Sequence, residues 1–270
     1  MVSIAGSKKL KRQMAPQFWG ITRKDKRFVI TVKPGPHKKS QAIPTAVFLR
    51  DTLKIVTSLR EAKASIYSGK VKIDGVVRKS LHHAIGLMDV VELENVSDIY
   101  RLVPAEEKML KPIKINESEK SKKLVTVTSK TTISKDKLQI GFHDGRSIIS
   151  DSKVNIGDTC LIQIPDVKIL EIIKLEVGSQ GLVTRGNNVG QIGKIEDIEE
   201  GTFILPKRVI LTLEDRKIEI PADIIMPIGK GEPIIQLKWS YVSNNRNPNE
   251  KNLFRESRLK YGRRKIGGCN

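Results

Sequence analysis

Acidic residues are in short supply in this chain: 30 Asp and Glu stand against 49 Lys and Arg, leaving a formal net charge of +19. That excess says little about fold, but it predicts a polyanionic partner, and nucleic acid is the commonest. Aromatic residues make up only 4% of the 270 positions, so the cores are expected to be small and aliphatic. Cys160 and Cys269 lie far apart with no C-x-x-C pair, which excludes a disulfide scaffold and carries no zinc signature. No stretch reaches the roughly eighteen apolar residues of a membrane span. The opening "MVSIAGSKKLKRQMAPQFWG" lacks the apolar run of a secretory signal. A phosphate-binding loop is missing too, because Gly193-Lys194 is followed by Ile195 where Ser or Thr is needed. No His, Asp or Glu cluster has metal-ligand spacing. The expectation is a soluble, intracellular chain of two or three small domains, with no metal, cofactor, membrane or small-molecule substrate.

What is present is clustered charge. From Ser7 to Ser40 there are eleven basic residues and a single acid, Asp25, interrupted by Pro16, Pro34 and Pro36. Phe18, Trp19 and Phe28 argue that part of this arm docks on a folded surface or on RNA. Residues 44–56 carry an approximate helical apolar face in Val47, Leu49, Leu53 and Val56. Pro44 suits a first turn, and Arg50 and Lys54 should share a face. Ser58 and Glu61 form a capping-box pattern that starts a second helix, with Ala62 and Ile66 inward, Arg60 and Lys63 outward, and Gly69 as the stop. "KVKIDGVV" then alternates, with Val71 and Ile73 opposite Lys70 and Lys72, and Asp74-Gly75 is a two-residue hairpin turn. Arg78 and Lys79 follow, and residues 89–93 can add a strand. Six basic residues against two acids make this helix–hairpin unit a one-sided phosphate-binding surface.

Residues 122–164 read as strands, with turns at Asp144-Gly145 and Gly157-Asp158. "DVKILEIIKLEVG" fits a strand or a short helix equally. His82, His83 and His143 are read as structural or RNA-facing. Residues 176–203 combine Gly178, Gly181, Gly186, Gly190 and Gly193 with apolar punctuation, the pattern of a small, sharply bent barrel. "RVILTLEDRKIEIP" predicts a further hairpin turning at Glu214 to Arg216. The polar stretch after Trp239 is basic; it is expected to be disordered alone and to order as a short helix on a partner.

These pieces, in this order, resemble one family. "KKLKRQMAPQFW", "KPGPHKKSQAIPTAVFLRDTLKI", "REAKASIYSGKVKIDGVVRKSLHHAIGLMDVVEL", "KTTISKDKLQIGFHDGRSII" and "GLVTRGNNVGQIGKI" are similar to segments of the S-four-e family of small-subunit ribosomal proteins, across about residues 7–229. The resemblance implies an α+β, mostly β chain. Its expected parts are a basic arm (1–43), an S-four-type RNA-binding domain (44–106), a central β-rich domain (107–172), a KOW SH3-like barrel region (173–238) and a basic tail (239–270). It implies a structural, non-catalytic constituent of the small ribosomal subunit in the cytoplasm. The expected partners are small-subunit ribosomal RNA and neighbouring ribosomal proteins. The RNA-facing residues expected on this basis are Lys8, Lys9, Lys11, Arg12, Arg23, Lys24, His37, Lys38, Arg50, Lys54, Arg60, Lys63, Lys70, Lys72, Arg78, Lys79, Arg185, Asn187 and Asn188. In the KOW-like loop, Asn187, Asn188 and Gln191 replace some of the charge that the family more often carries.

Two other readings compete. A transient KOW-containing transcription or translation factor would share the barrel but remain free of the ribosome. An RNA-modifying enzyme with an appended S-four domain would need a catalytic Asp in a large mixed α/β domain, and the short strands after residue 106 do not supply one.

Overall fold

The computed structural model of the chain describes residues 9–237, apart from 23, 95, 106–108, 134–136, 151–153, 214–215, 232 and 236. The expected basic tail, Lys8, Arg23 and the Glu214 end of the last hairpin turn lie outside the described residues. What is described is an α+β chain dominated by antiparallel strands.

The described part of the arm is folded. β1 (Leu10–Lys11) pairs with β2 (Phe28–Val29), and two short 3-10 turns lie between them. Trp19 is 1% exposed, and its Nε1–H donates to the Ala42 carbonyl at 2.9 Å. It packs in one cluster with Val32, Phe48, Leu49 and Ile66. A buried indole with its one donor satisfied anchors well, because it removes a large apolar area from water without orphaning a polar atom.

β3 (Ile43–Pro44) leads directly into α1 (Thr45–Val47), which continues as a π turn over Phe48–Thr52. The helix expected over 44–56 is therefore shorter. Lys54 takes a left-handed φ of +56°, and the Ile55 N–H bonds back to the Leu49 carbonyl at 3.1 Å, which closes the helix. Pro44 sits one residue ahead of the helix, and Arg50 and Lys54 are not a helical turn apart.

α2 (Leu59–Tyr67) has both halves of the capping box: Glu61 N–H donates to Ser58 Oγ at 3.2 Å, and Ser58 N–H to Glu61 Oε2 at 3.4 Å. Its end is a Schellman motif. Gly69, at φ +84°, donates to Ile66, and Lys70 donates to Ser65. Ala62 and Ile66 are buried.

β4 (Val71–Ile73) and β5 (Val76–Val77) close through Asp74 and Gly75, both at positive φ, as a type I′ turn requires. β6 (Ala84–Ile85) pairs with β3. β7 (Val90–Leu93), β8 (Ile99–Val103) and β9 (Lys111–Ile115) complete a sheet of order β5-β4-β7-β8-β9. The next sheet holds β10 (Lys122–Thr132), β11 (Leu138–Phe142), β12 (Ser147–Ser150), β13 (Thr159–Gln163) and β14 (Lys168–Ile173), in the order β12-β11-β10-β13-β14. β14 resolves the ambiguous apolar stretch as a strand.

The last sheet contains β15 (Gln180–Val183), β16 (Ile192–Glu199), β17 (Arg208–Thr212), β18 (Lys217–Pro221) and β19 (Ile225–Gly229), ordered β18-β17-β16-β15-β19. Gly181 faces Gly193 across its ladder. A Cβ on Gly193 would lie 2.8 Å from the Thr212 carbonyl oxygen, so only glycine permits this approach. Val183, Ile195, Val209, Leu211, Ile220 and Ile225 fill its core. A larger apolar cluster joins Val90, Leu124, Ile140 and Ile162 to Leu182, Met226 and Ile228, so strands from all three five-stranded sheets share one core.

Candidate nucleic-acid interface

The helix–hairpin unit presents its charge as the pattern predicts. Arg60 and Lys63 lie exposed on α2, opposite the buried Ala62 and Ile66. The Lys63 ammonium stands 5.6 Å over the Tyr67 ring. Lys72 is exposed between the buried Val71 and Ile73, Lys79 is exposed after β5, and Lys70 and Arg78 are half-buried. A Cβ on Gly69 would meet Lys79 Cε at 3.6 Å, so Lys79 runs beside the carboxyl end of α2, where a cation is favoured. Arg60, Lys63 and Lys72 sit on elements whose other faces are buried, which fixes where their backbones stand before any ligand arrives.

The arm brings further charge alongside. One groove is lined by Arg12, Thr22, Lys26, Arg50, Asp51, Lys54 and Thr57. A second, sharing Arg12, Lys26 and Arg50, adds Lys9, Phe28 and His82. Lys11 and Lys24 line a third with Lys26 and Arg27. Two cations stand near the Phe28 ring, Lys9 at 5.6 Å and Arg27 at 5.3 Å from its centroid. Lys38 is exposed.

Two of the expected RNA-facing residues point inward instead. Arg12 is buried; its Nη1 donates to the Thr22 carbonyl at 2.7 Å and pairs with Asp25 at 3.3 Å. His37 is buried, with Nε2 3.0 Å from Asp89, and its ring fills the space where a Cβ on Gly86 would be. A charge count cannot separate a solvated cation from one spent on an internal carbonyl. Arg50 is partly withdrawn too, since its Nε and Nη2 grip Asp51 at 3.1 and 2.7 Å.

In the loop between β15 and β16, Asn187 is exposed, while Arg185 and Asn188 are half-buried. Asn188 accepts from Arg216 at 2.8 Å, and Arg185 donates to the Asp223 carbonyl at 3.3 Å. These contacts hold the loop in shape. Val189 is buried, and a Cβ on Gly190 would lie 2.8 Å from Ala105 Cα, so the loop is seated against the chain leaving β8.

The most concentrated charge in the molecule is one that the sequence does not advertise. Lys123 is fully buried on β10, with Nζ 2.7 Å from Asp74, 2.6 Å from Asp89 and 3.2 Å from Asp144. Arg146 reaches Asp74 at 2.8 Å. Asp89 also accepts from the Gly86 N–H at 2.8 Å, and Asp74 from the Val90 N–H at 3.0 Å. Burial disfavours the Lys123 ammonium, but the carboxylates of Asp89, Asp74 and Asp144 more than offset it and hold its pKa above the ordinary value. Burial likewise opposes the Asp89 carboxylate, yet His37 and Lys123 keep it ionised well below the usual range. His143 Nδ1 accepts from the Thr126 N–H at 3.1 Å, which requires an unprotonated Nδ1. Burial, then Lys123 and His37, push its pKa down to about 4. Asp74 and Asp144 both precede a turn glycine, and that local role masks the ionic one.

Among the described residues, no group of three or more His, Cys, Asp or Glu is placed to hold a metal ion, and no helix is long and apolar enough to cross a membrane. Cys160 is buried and unpaired, and burial raises its thiol pKa to about 11.

The family model described as Ribosomal family S4e matches residues 96–169, and the RS4NT (NUC023) domain model matches residues 5–40. The chain is 36% identical over 249 residues to the small ribosomal subunit protein eS4 of Staphylothermus marinus, covering 88% of this chain and 98% of that one. It is 37% identical, with the same coverage, to the eS4 protein of Desulfurococcus amylolyticus. The crystal structure of the 30S ribosomal protein S4e from Thermoplasma acidophilum is similar with a TM-score of 0.61 and 33% identity, over 71% of this chain and 96% of that one. With this likeness running through nearly the full length of those proteins, in sequence and in fold, the chain belongs to the S4e family of ribosomal proteins.

Proposed function

We propose that the chain is a structural constituent of the small ribosomal subunit that binds the subunit's RNA directly and supports translation. Kinship with eS4 proteins over 98% of their length carries this assignment. The basic surface supplies the means. Lys and Arg at positions 60, 63 and 72 stand exposed on buried-backed elements, Lys79 is exposed after β5, and Lys11, Lys24, Lys26 and Lys54 lie along the arm grooves. Each phosphate neutralised releases condensed counterions, and a fixed array of cations sets register and orientation on folded RNA.

In the finer scheme, residues 44–106 act as the S-four-type RNA-binding domain, 107–172 as the central domain and 173–238 as the KOW SH3-like barrel. The capping box, the type I′ hairpin and the glycine-pinched last sheet support this division. Lys8, Lys9, Lys38, Lys70, Arg78, Arg185, Asn187 and Asn188 belong to the proposed RNA-facing set. Neighbouring small-subunit proteins are partners, and the site of action is cytoplasmic. No reaction is assigned to the chain.

The test is sedimentation of cell lysate through sucrose at low and at moderately high salt, following this protein by mass spectrometry. Stoichiometric co-migration with small subunits at both salts is expected. A position at the top of the gradient, or loss at modest salt, supports a transient KOW-containing factor instead.

A further inference from the structure

Three consecutive large apolar residues stand in solvent between β16 and β17. Phe203 is fully exposed, Ile204 is 86% exposed and Leu205 46%. The turn that carries them is closed and held. The Thr202 N–H donates to the Leu205 carbonyl at 2.8 Å, and the Leu205 N–H to Thr202 Oγ1 at 3.2 Å. Lys207 Nζ bridges to Glu200 at 2.7 Å across the neck. Gly201 is pinched so tightly that a Cβ there would lie 2.8 Å from the Lys207 nitrogen. The three side chains are thus presented outward on a braced support.

The surroundings say what the knob fits. Residues 196–208 hold four acids, Glu196, Asp197, Glu199 and Glu200, against two bases, Lys207 and Arg208, in a chain whose net charge is +19. The nearby bases are already engaged, Lys207 with Glu200, Arg208 with Glu199 and Glu219, and Lys217 of β18 with Glu196. This hairpin repels a phosphate backbone that the arm and α2 attract. Exposed apolar groups within an acidic surround complement an apolar cleft edged by Lys or Arg, a combination that protein surfaces supply.

We propose that the Phe203–Leu205 tip is a docking knob for another protein of the same particle, received in an apolar cleft with a basic rim. This rests on the reading of the chain as a small-subunit constituent and goes beyond it by assigning the hairpin to protein contact and not to RNA.

The test places photo-reactive p-benzoylphenylalanine in the full chain in place of Phe203, and irradiates small subunits isolated from the cells that express it. One protein–protein adduct, whose peptide maps to an apolar cleft edged by Lys or Arg, is the expected product. Adducts to RNA alone, to a second copy of this chain, or to nothing overturn the proposal. The same reagent in place of Lys63 reports the RNA reading separately. An RNA adduct there with no protein adduct from the hairpin leaves the RNA reading standing and refutes the knob, while absence of the chain from small subunits refutes both. A Phe203→Ser, Ile204→Ser double variant should keep the unsubstituted chain's affinity for a small-subunit RNA transcript, yet leave the assembled subunit about tenfold faster. Equal retention in the subunit counts against the knob.

Discussion

Lys123 Nζ lies 2.6 Å from Asp89 Oδ1, and neither side chain reaches solvent. The lysine comes from the sheet built on β10 and the aspartate from the turn before β7, so the pair ties two sheets through a single contact. Asp74 and Asp144 converge on the same ammonium. Removing the cation leaves three buried carboxylates with only Arg146 and His37 opposite them, and the expected cost is that of breaking a buried ion pair, about 3–5 kcal/mol. Urea denaturation of Lys123→Met should show that loss in its midpoint. An unchanged midpoint would mean that the cluster contributes nothing to stability.

His143 sets an acid limit. Its folded pKa of about 4 is below the ordinary 6.5, so between these values the unfolded chain binds a proton that the folded chain does not. A basic group depressed in this way contributes stability above its unfolded pKa and loses it as pH falls toward the folded one. The melting temperature should therefore decline as pH drops from about 6.5 to 4, and His143→Asn should flatten that decline. Parallel curves for the two proteins would sink the assignment. Below that window Asp89, whose carboxylate is held low, adds a further loss once it protonates.

Gly190 and Gly178 both have positive φ, at 84° and 91°, but only one of them is crowded. A Cβ on Gly190 meets the Ala105 backbone at 2.8 Å, whereas one on Gly178 meets nothing within 4 Å. Gly178→Ala should cost only the left-handed backbone penalty, about 1 kcal/mol. Gly190→Val should cost clearly more, because backbone must shift to admit it. Thermal melts of the two variants side by side decide the matter, and equal losses would show that the Ala105 contact is soft.

Arg60 and Lys63 are exposed and take no part in the cap or buried face of α2, which use Ser58, Glu61, Ala62 and Ile66; Lys63 makes only an exposed contact with the Tyr67 ring. Arg60→Glu with Lys63→Glu should therefore leave the melting temperature nearly unchanged while weakening RNA binding. The slope of log affinity against log salt should fall by about 2, roughly one for each lost phosphate contact. If affinity and slope both survive, this face of α2 does not meet RNA.

Local devices were legible because each is written in a few neighbouring residues. The capping box at Ser58 and Glu61, the glycine stop at 69 and the Asp74-Gly75 turn all read directly, as did the alternation that buries Val71 and Ile73 and exposes Lys72. The early end of the first helix did not, because a lysine, and not a glycine, takes the left-handed position. Arg12 turns inward on partners within the arm, 10 and 13 positions away, but the internal role of His37 stayed hidden for a different reason. His37 meets an acid 52 positions away, and Arg146 meets Asp74 across 72. Pairing at that range is decided by how sheets come together, and no spacing rule reaches it. The Phe203–Leu205 stretch was readable as an apolar triplet, but only the fold shows it exposed.

The buried cluster also has a direction in time. During synthesis Asp74 and Asp89 leave the ribosome before the lysine that pairs with them, and Asp89 precedes Lys123 by 34 residues. At ordinary elongation rates that is a wait of about 2 to 7 seconds. Throughout it Asp74 and Asp89 lack their lysine, and the packing of the sheet that carries them is completed only when β10 arrives.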